Sequence, residues 1–391
     1  MFSIPTLFIL GAGASIPYGY PSGTILVRKI VENIKNDNIY FPVQDQKWNY
    51  DLSVFQNFID NYKDISLIPE NENVHNFEFI RGEKTFYIRP KGANCNLNKI
   101  KLSQISEFKR LKEALQQFSP VSIDNFIRDN PSFAPAGKIM IVYTLLKLEK
   151  PEKLELNDGD HWYPYLLNDI LEGCSEKPSN INKSNLEIIT FNYDVSLDYY
   201  LNSRLSEIER LKERYPERLY LKNFKIQHVY GSLFGDEPYD YGKYSIQGNG
   251  SDIANLKRFE ASVLLHKNIK TMFEDRKKKK LKFKKMIERN EQIIVIGFGF
   301  DRSNLNQLGF PKIISSKESD INDSYIKFLK NKTFRYLNYG GEMTNLDYEF
   351  DLIQEEFKKL SSDGYLRIVK SHAKKITAAY FRDFKSTLLA D

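Results

Sequence analysis

Four short stretches of the sequence carry residue types suited to chemistry, and each directly follows an apolar run. They are Gly11–Ser15, Asn192–Asp194, His228–Ser232 and Gly297–Asp301. The ordinary pKa of histidine is about 6.5, so His228 can accept a proton near neutral pH. The amide of Asn192 can both donate and accept hydrogen bonds. We expect these residues to hold a polar substrate and to move a proton at it, without a metal ion.

Each of these residues also has a structural alternative when it is taken singly. His228 can be a hydrogen-bonded histidine at a strand end. Asn192 and Asp194 can cap a helix that begins near Val195, a role compatible with ligand binding. Phe298 can be part of the core. The functional interpretation therefore depends on the four stretches together.

The first stretch is rich in small residues, which lets backbone N–H groups approach an anionic phosphate at a helix start. It is not the usual dinucleotide pattern G-x-G-x-x-G, because the third position holds Ile16. No strand ending in an acidic residue follows about twenty residues later, as the ribose contact would need. On its own, the turn predicts either a phosphate loop or an ordinary tight turn.

The apolar runs predict the strands of a parallel sheet. They are Thr6–Leu10, Leu186–Phe191, Phe224–Tyr230, Gln292–Ile296 and Thr333–Leu337. Ligands of open α/β sheets bind beyond the carboxyl ends of the strands. We therefore expect the four stretches to converge on one crevice.

The predicted organisation is a sheet domain, residues 1–35 and 186–345, with a large, mostly helical insertion at 36–185 and a C-terminal helical segment at 346–391. The insertion has a possible hairpin in addition to its helices. The predicted elements outside the sheet are the hairpin Phe77–Ile80 with Thr85–Arg89, and the helices Leu102–Phe118, one starting at Ser122, Lys138–Leu148, Trp162–Leu171, Leu352–Leu360 and Lys374–Phe384.

Composition limits the classes of function. Of 391 residues, 41% are hydrophobic, which is enough for a sizeable core. Two isolated cysteines, Cys95 and Cys174, exclude a four-cysteine zinc module and a disulfide framework. With no signal sequence and no apolar run near 20 residues, we expect a cytoplasmic protein with no membrane contact. The net charge is +6, and Arg276–Lys285 holds eight basic residues, which predict a solvated helix face or, less simply, a nucleic-acid contact.

Taken together and in chain order, four motifs resemble the NAD-binding domains of sirtuin-type proteins. The motifs are Gly11-Ala-Gly-Ala-Ser15, Thr190-Phe-Asn-Tyr-Asp194, His228-Val-Tyr-Gly-Ser232 and Gly297-Phe-Gly-Phe300. The chain resembles in particular the bacterial sirtuin-like branch of anti-phage defence systems, whose insertion Ser122-Ile-Asp124 and His161-Trp-Tyr163 also match. The resemblance implies an α/β fold with a Rossmann-like parallel sheet of sirtuin type.

The resemblance also implies roles for single residues. Asn192 would hold a ribose hydroxyl or water, Asp194 the nicotinamide carboxamide, and His228 would be the general base. The remaining NAD-binding positions implied by the resemblance are the phosphate turn Gly11, Ala12, Gly13, Ala14 and Ser15, and further along the chain Gly231, Ser232, Gly297, Phe298 and Gly299. Deacylating sirtuins carry a four-cysteine zinc module that this chain cannot form, so zinc is not expected and NAD+ is the substrate, not a cofactor.

The function implied is an NAD+ glycohydrolase that releases nicotinamide and ADP-ribose and depletes cellular NAD+ during anti-phage defence. Such an enzyme needs a trigger, and the resemblance implies a homo-oligomer that works with a HerA-type ATPase. Two alternatives remain open: a non-catalytic NAD+ or ADP-ribose sensor that gates a partner, and an NAD+-dependent protein deacylase.

Overall fold

The computed structural model describes residues 4–42, 77–81, 86–90, 97–155, 161–172, 185–207, 226–234, 240–245, 251–271, 277–299, 302–309, 332–339 and 366–373. The strands among them, in chain order, are β1 (Thr6–Leu10), β2 (Asn38–Pro42), β3 (Phe77–Arg81), β4 (Phe86–Pro90), β5 (Leu97–Lys101), β6 (Leu186–Thr190), β7 (Ile226–His228), β8 (Gln292–Ile296), β9 (Lys332–Tyr339) and β10 (Leu366–Ala373).

The α-helices of the same residues are α1 (Gly23–Asn36), α2 (Ser106–Phe118), α3 (Ile123–Asp129), α4 (Ala134–Leu148), α5 (Pro151–Glu155), α6 (Tyr163–Glu172), α7 (Ser196–Glu207), α8 (Ser251–Leu265), α9 (Lys277–Arg289) and α10 (Arg302–Gln307). Short 3₁₀ helices span Ala12–Tyr18, Leu102–Gln104, Pro131–Phe133 and His266–Asn268. Every helix in this part of the chain is too short or too polar to cross a membrane.

The chain divides into two compact units. The first consists of Met1–Ser22, Lys150–Tyr239 and Met272–Asp391. It contains a parallel sheet in the order β10-β9-β8-β1-β6-β7. Numbered along the chain within this sheet, the order is 3-2-1-4-5-6 read from β7, which is that of Rossmann-like, doubly wound folds. The predicted α/β class with a parallel sheet is confirmed.

The strands of this sheet are buried where the sequence has continuous apolar runs. All residues of β1 and β8 are buried, as expected for a parallel sheet covered on both faces. The basic run continues from Lys277 along α9, which buries Phe283, Met286 and Ile287. A nucleic-acid contact of that run stays a prediction.

The C-terminal helical segment predicted at 346–391 is wrong in its central part. Residues Leu366–Ala373 form β10, which pairs in parallel with β9 at the edge of the sheet. The two helices predicted there, Leu352–Leu360 and Lys374–Phe384, lie outside the described residues. A parallel strand needs a neighbour to pair with, and β9 provides it.

The second unit consists of Gly23–Glu149 and Asp240–Thr271. Its helices α1 to α4 and α8 accompany an antiparallel sheet in the order β2-β5-β4-β3, whose β3–β4 pair is the predicted hairpin. Ser122 is the N-cap of α3 and accepts a hydrogen bond from the Asp124 N–H at 3.1 Å. Lys147 binds Asp37 at 2.7 Å.

The two units divide the chain at places that differ from the predicted domain bounds. Helix α1 is grouped with the second unit, whereas α6 is grouped with the parallel sheet. Aromatic contacts tie the start of α6 to the first unit: the Trp162 indole N–H donates to the Ala14 carbonyl at 2.9 Å, and the rings of Tyr163 and Tyr18 stack with centroids 3.6 Å apart.

Candidate functional site

The register of the parallel sheet brings the ends of its strands level. Leu10 of β1 pairs with Thr190 of β6 and with Ile296 of β8, and Thr190 pairs with His228 of β7. The residues that follow these strands therefore emerge at one edge of the sheet, but they do not all line the single crevice expected from the sequence. They form two groups, one around a cavity over β1, β6 and β7, and one at the contact of the β1 and β8 loops.

The cavity has a volume of about 10 Å³. Its lining includes four of the predicted site residues, Ala14, Ser15, Asn192 and Asp194. The other lining residues are Leu10, Tyr163, Thr190, Leu197, Asp198 and Ile226. A cavity needs about 10–15 Å³ to hold one water molecule, so this cavity is the size of a single water and not of a nucleotide.

The glycine turn after β1 makes most of its backbone contacts with the loop after β8. The N–H of Gly11 donates to the Ile296 carbonyl at 3.0 Å, and the N–H of Gly13 donates to the Gly297 carbonyl at 2.9 Å. The Ala14 N–H donates back to the Gly11 carbonyl at 2.9 Å. Among the described residues, Ala12 alone in this turn has an N–H without an acceptor, and Ala12 is exposed.

The turn continues as the 3₁₀ helix Ala12–Tyr18, and α1 begins only at Gly23. The predicted phosphate cradle therefore retains one open amide instead of a set of them. Close packing explains the glycines in physical terms, because a Cβ on Gly13 would lie 2.6 Å from the Gly297 Cα. Gly297 has φ of +58°, a conformation that side chains disfavour.

Asn192 connects the β6 loop to the glycine turn. Its Nδ2 donates to the Gly11 carbonyl at 3.0 Å and to Ser15 Oγ at 2.8 Å. Its backbone N–H donates to Thr190 Oγ1 at 3.1 Å, which fixes the loop at the end of the strand. Within the described residues, Asn192 Oδ1 has no donor, and the residue lines the cavity. An acceptor therefore remains available to a ligand hydroxyl.

Asp194 is buried and satisfies polar groups at the start of α7. It accepts hydrogen bonds from the N–H of Ser196 at 3.2 Å and from the Ser196 hydroxyl, and Tyr163 OH lies 2.8 Å from that hydroxyl. Burial raises the pKa of Asp194, although the bonds from Ser196 and Ser15 and the charge of His228 oppose the rise. Asp194 therefore stabilises the start of α7 and also lies on the cavity wall, two roles that the sequence analysis treated as compatible.

His228 lies behind the cavity wall, not on it. Its Nδ1 is 3.0 Å from the Asn192 carbonyl oxygen, and its Nε2 is 3.2 Å from Asp198 Oδ2. A carbonyl and a carboxylate both accept, so this arrangement favours donation by both ring nitrogens and the positively charged imidazolium. Burial alone would lower the pKa of His228, but the charge and hydrogen bond of Asp198, the Asn192 carbonyl and Asp194 together raise it.

Because the His228 pKa is raised in the folded state, its contribution to stability is complete below the unfolded pKa near 6.5 and is lost as the pH rises through the folded pKa. We expect the free energy of unfolding to fall over that range by up to about 1.4 kcal/mol per pH unit. Urea unfolding at a series of pH values measures it. Subtracting the pH profile of the His228→Gln variant from that of the wild type isolates the contribution of His228 to the free energy of unfolding. Parallel profiles of the two proteins would contradict a charged pair of His228 with Asp198.

Asp198 is the site residue that sequence reasoning missed. It lies in the first turn of α7, lines the cavity and pairs with His228. A signal was present, because Asp198 falls in the first turn of the helix that directly follows Asp194. Tyr163, another lining residue, was recognised only as part of the helical region.

The remaining predicted residues do not line the cavity. Gly231 has φ of +74°, and Ser232 is buried. Phe298 is buried against Phe191, with ring centroids 4.6 Å apart, so the structural alternative for this residue is supported. Gly299 follows it, half-buried.

No cluster of three His, Cys, Asp or Glu side chains suited to a metal ion occurs among the described residues. No protein-family model matches the chain, and no curated protein matches it. Fold and site define an open α/β protein with a small cavity at the carboxyl edge of its sheet, lined by apolar residues together with polar ones that include an asparagine, two aspartates and a serine.

Proposed function

We propose that the chain binds NAD+ at this edge of the sheet and hydrolyses its nicotinamide–ribose bond. The observation that carries the proposal is the position of Asn192. Its Nδ2 fixes the glycine turn through Gly11 and Ser15, while its Oδ1 remains available on the cavity wall. A ribose hydroxyl or the attacking water is a suitable donor for that oxygen.

The chemistry requires little from the protein. Nicotinamide leaves readily because breaking its glycosidic bond neutralises the pyridinium charge. The site must then stabilise an oxocarbenium-like ribose and provide water in the correct orientation. Asp194 and Asp198 supply the acidic side chains on the wall of the cavity.

The positions of Asn192 and Ala12 favour one orientation of the substrate. The cavity would hold the attacking water, the nicotinamide-ribose end would lie against it beside Asn192, and the diphosphate would lie towards the exposed residue Ala12. The resemblance to sirtuin-like defence proteins supports the same orientation, together with a sheet of sirtuin type and an inserted region after the first helix. It also supports control of the activity by self-association and by a HerA-type ATPase.

The test is release of nicotinamide from NAD+ by the purified protein, with and without a HerA-type ATPase, quantified by chromatography. We expect release that Asn192→Ala reduces at least about 100-fold. Glu207→Gln is the control, since Glu207 is exposed on α7 and, within the described residues, pairs with neighbours on its own helix. Intact NAD+ under all conditions would refute the proposal.

A second candidate function, a non-catalytic NAD+ or ADP-ribose sensor, is favoured by one observation. Both ring nitrogens of His228 and three of the four amides from Gly11 to Ala14 are already engaged within the chain. The same assay separates the candidates when it is paired with calorimetry: a sensor binds ADP-ribose or NAD+ and releases no nicotinamide.

A further inference from the structure

Resting on the proposed hydrolysis of NAD+, we infer that Asp198 is the catalytic base that contacts the attacking water, and that His228 is a positioning residue which stays protonated. This assignment reverses the roles expected from the sequence, where His228 was the base and Asp198 had none.

Asp198 and His228 differ in their access to the cavity. Asp198 lines the cavity, and about 30% of its side chain is exposed. The His228 side chain is about 10% exposed and is not part of the lining. A base must come within hydrogen-bond distance of the proton that it removes, so access favours the carboxylate.

Hydrogen bonding supports the same division. A base needs a lone pair, and both nitrogens of His228 point at acceptors, the Asn192 carbonyl and the Asp198 carboxylate. The charged groups that face the ring within the described residues are Asp198 of α7 and Asp194 of the loop before it, and both favour the imidazolium. Asp194 is occupied by Ser196 and Ser15. Asp198 is therefore the carboxylate left to act.

The step balances without another reactant. The bond between ribose C1′ and the nicotinamide nitrogen breaks, and its electron pair stays on nicotinamide. The water oxygen forms the new bond to C1′, and its proton passes to the Asp198 carboxylate and then to solvent. The products are nicotinamide, ADP-ribose and a proton. The negative charge of Asp198 also stabilises the cationic ribose, as carboxylates do in glycoside hydrolysis.

The experiment compares Asp198→Asn and His228→Gln, with Glu207→Gln as the control, by nicotinamide release across pH and by calorimetry with ADP-ribose. We expect Asp198→Asn to lower kcat at least about 100-fold while ADP-ribose binding is retained. We expect His228→Gln to lower kcat about 10-fold and to keep the acid limb of the pH–rate profile, because the ionising base is still present.

The outcomes are distinguishable. A wild-type protein without activity refutes the proposed function, and this inference with it. An active wild type with Asp198→Asn within threefold of it refutes the inference alone, as does loss of the acid limb in His228→Gln. If Asp198→Asn fails to fold, ¹⁵N NMR of the imidazole groups in the wild type decides, with His228→Gln to assign the signal. A neutral His228 ring at pH 7 would overturn the inference; a doubly protonated ring supports it.

Discussion

Replacing Gly297 by alanine is expected to lower the free energy of unfolding by about 2–5 kcal/mol. About 1–2 kcal/mol comes from placing a side chain at a positive φ, and about 1–3 kcal/mol from the overpacking that the new Cβ creates. The Cβ would overlap the backbone of Gly13 and Ala14. Since backbone atoms of a central strand loop cannot move aside cheaply, we expect little relaxation.

Gly19→Ala is the matched control. Gly19 has φ of +89°, and a Cβ there would meet no atom within 4 Å. Its expected loss is about 1–2 kcal/mol, the cost of the conformation alone. Urea unfolding with a constant m-value measures both variants. Equal losses at the two positions would show that the contact between the β1 and β8 loops is not close in solution.

The second large effect is expected at Asn192, where aspartate should be worse than alanine. The two acceptors that receive Nδ2, the Gly11 carbonyl and Ser15 Oγ, would face a carboxylate oxygen in Asn192→Asp. We expect a loss of about 3–5 kcal/mol for Asp, because a partly buried charge is left without a partner. We expect about 1–3 kcal/mol for Ala, which only removes the donor.

Asn304→Asp provides the control for this isosteric change. Asn304 Oδ1 accepts from Tyr230 OH at 2.6 Å, and a carboxylate can accept equally well. We expect a change within about 0.5 kcal/mol there. Thermal and urea unfolding of the four proteins measure the series. If Asn192→Asp proves as stable as Asn192→Ala, the side-chain amide is not oriented with its nitrogen towards the turn.

Most strands of the parallel sheet can be predicted from the sequence, because buried strands are continuous apolar runs. Strands β1, β6 and β8 are short apolar runs between small or polar residues, which a parallel sheet covered on both faces requires. Strand β10 could not be recognised in this way. Leu366–Ala373 mixes apolar with polar residues at the edge of the sheet, and its pairing with β9 is a long-range property.

The site was predictable to a similar extent. Asn192 and Asp194 could be found because they directly follow a recognisable strand. Asp198 could not be found in that way, since it lies inside a helix and its partner His228 is thirty positions away. The engagement of the Gly11 and Gly13 amides was also hidden, because their acceptors, Ile296 and Gly297, lie far along the chain.

The contact between the loops after β1 and β8 has a consequence for how relatives of this chain can vary. Gly13 and Gly297 touch backbone to backbone, so a larger residue at one position cannot be compensated by a smaller residue at the other. Neither position has a side chain left to lose. We therefore expect both positions to remain glycine in relatives, without the paired substitutions that usually accompany a contact between two side chains. A glycine pair after the first strand and a glycine after its neighbour in the sheet would then identify distant homologues when the rest of the sequence has diverged.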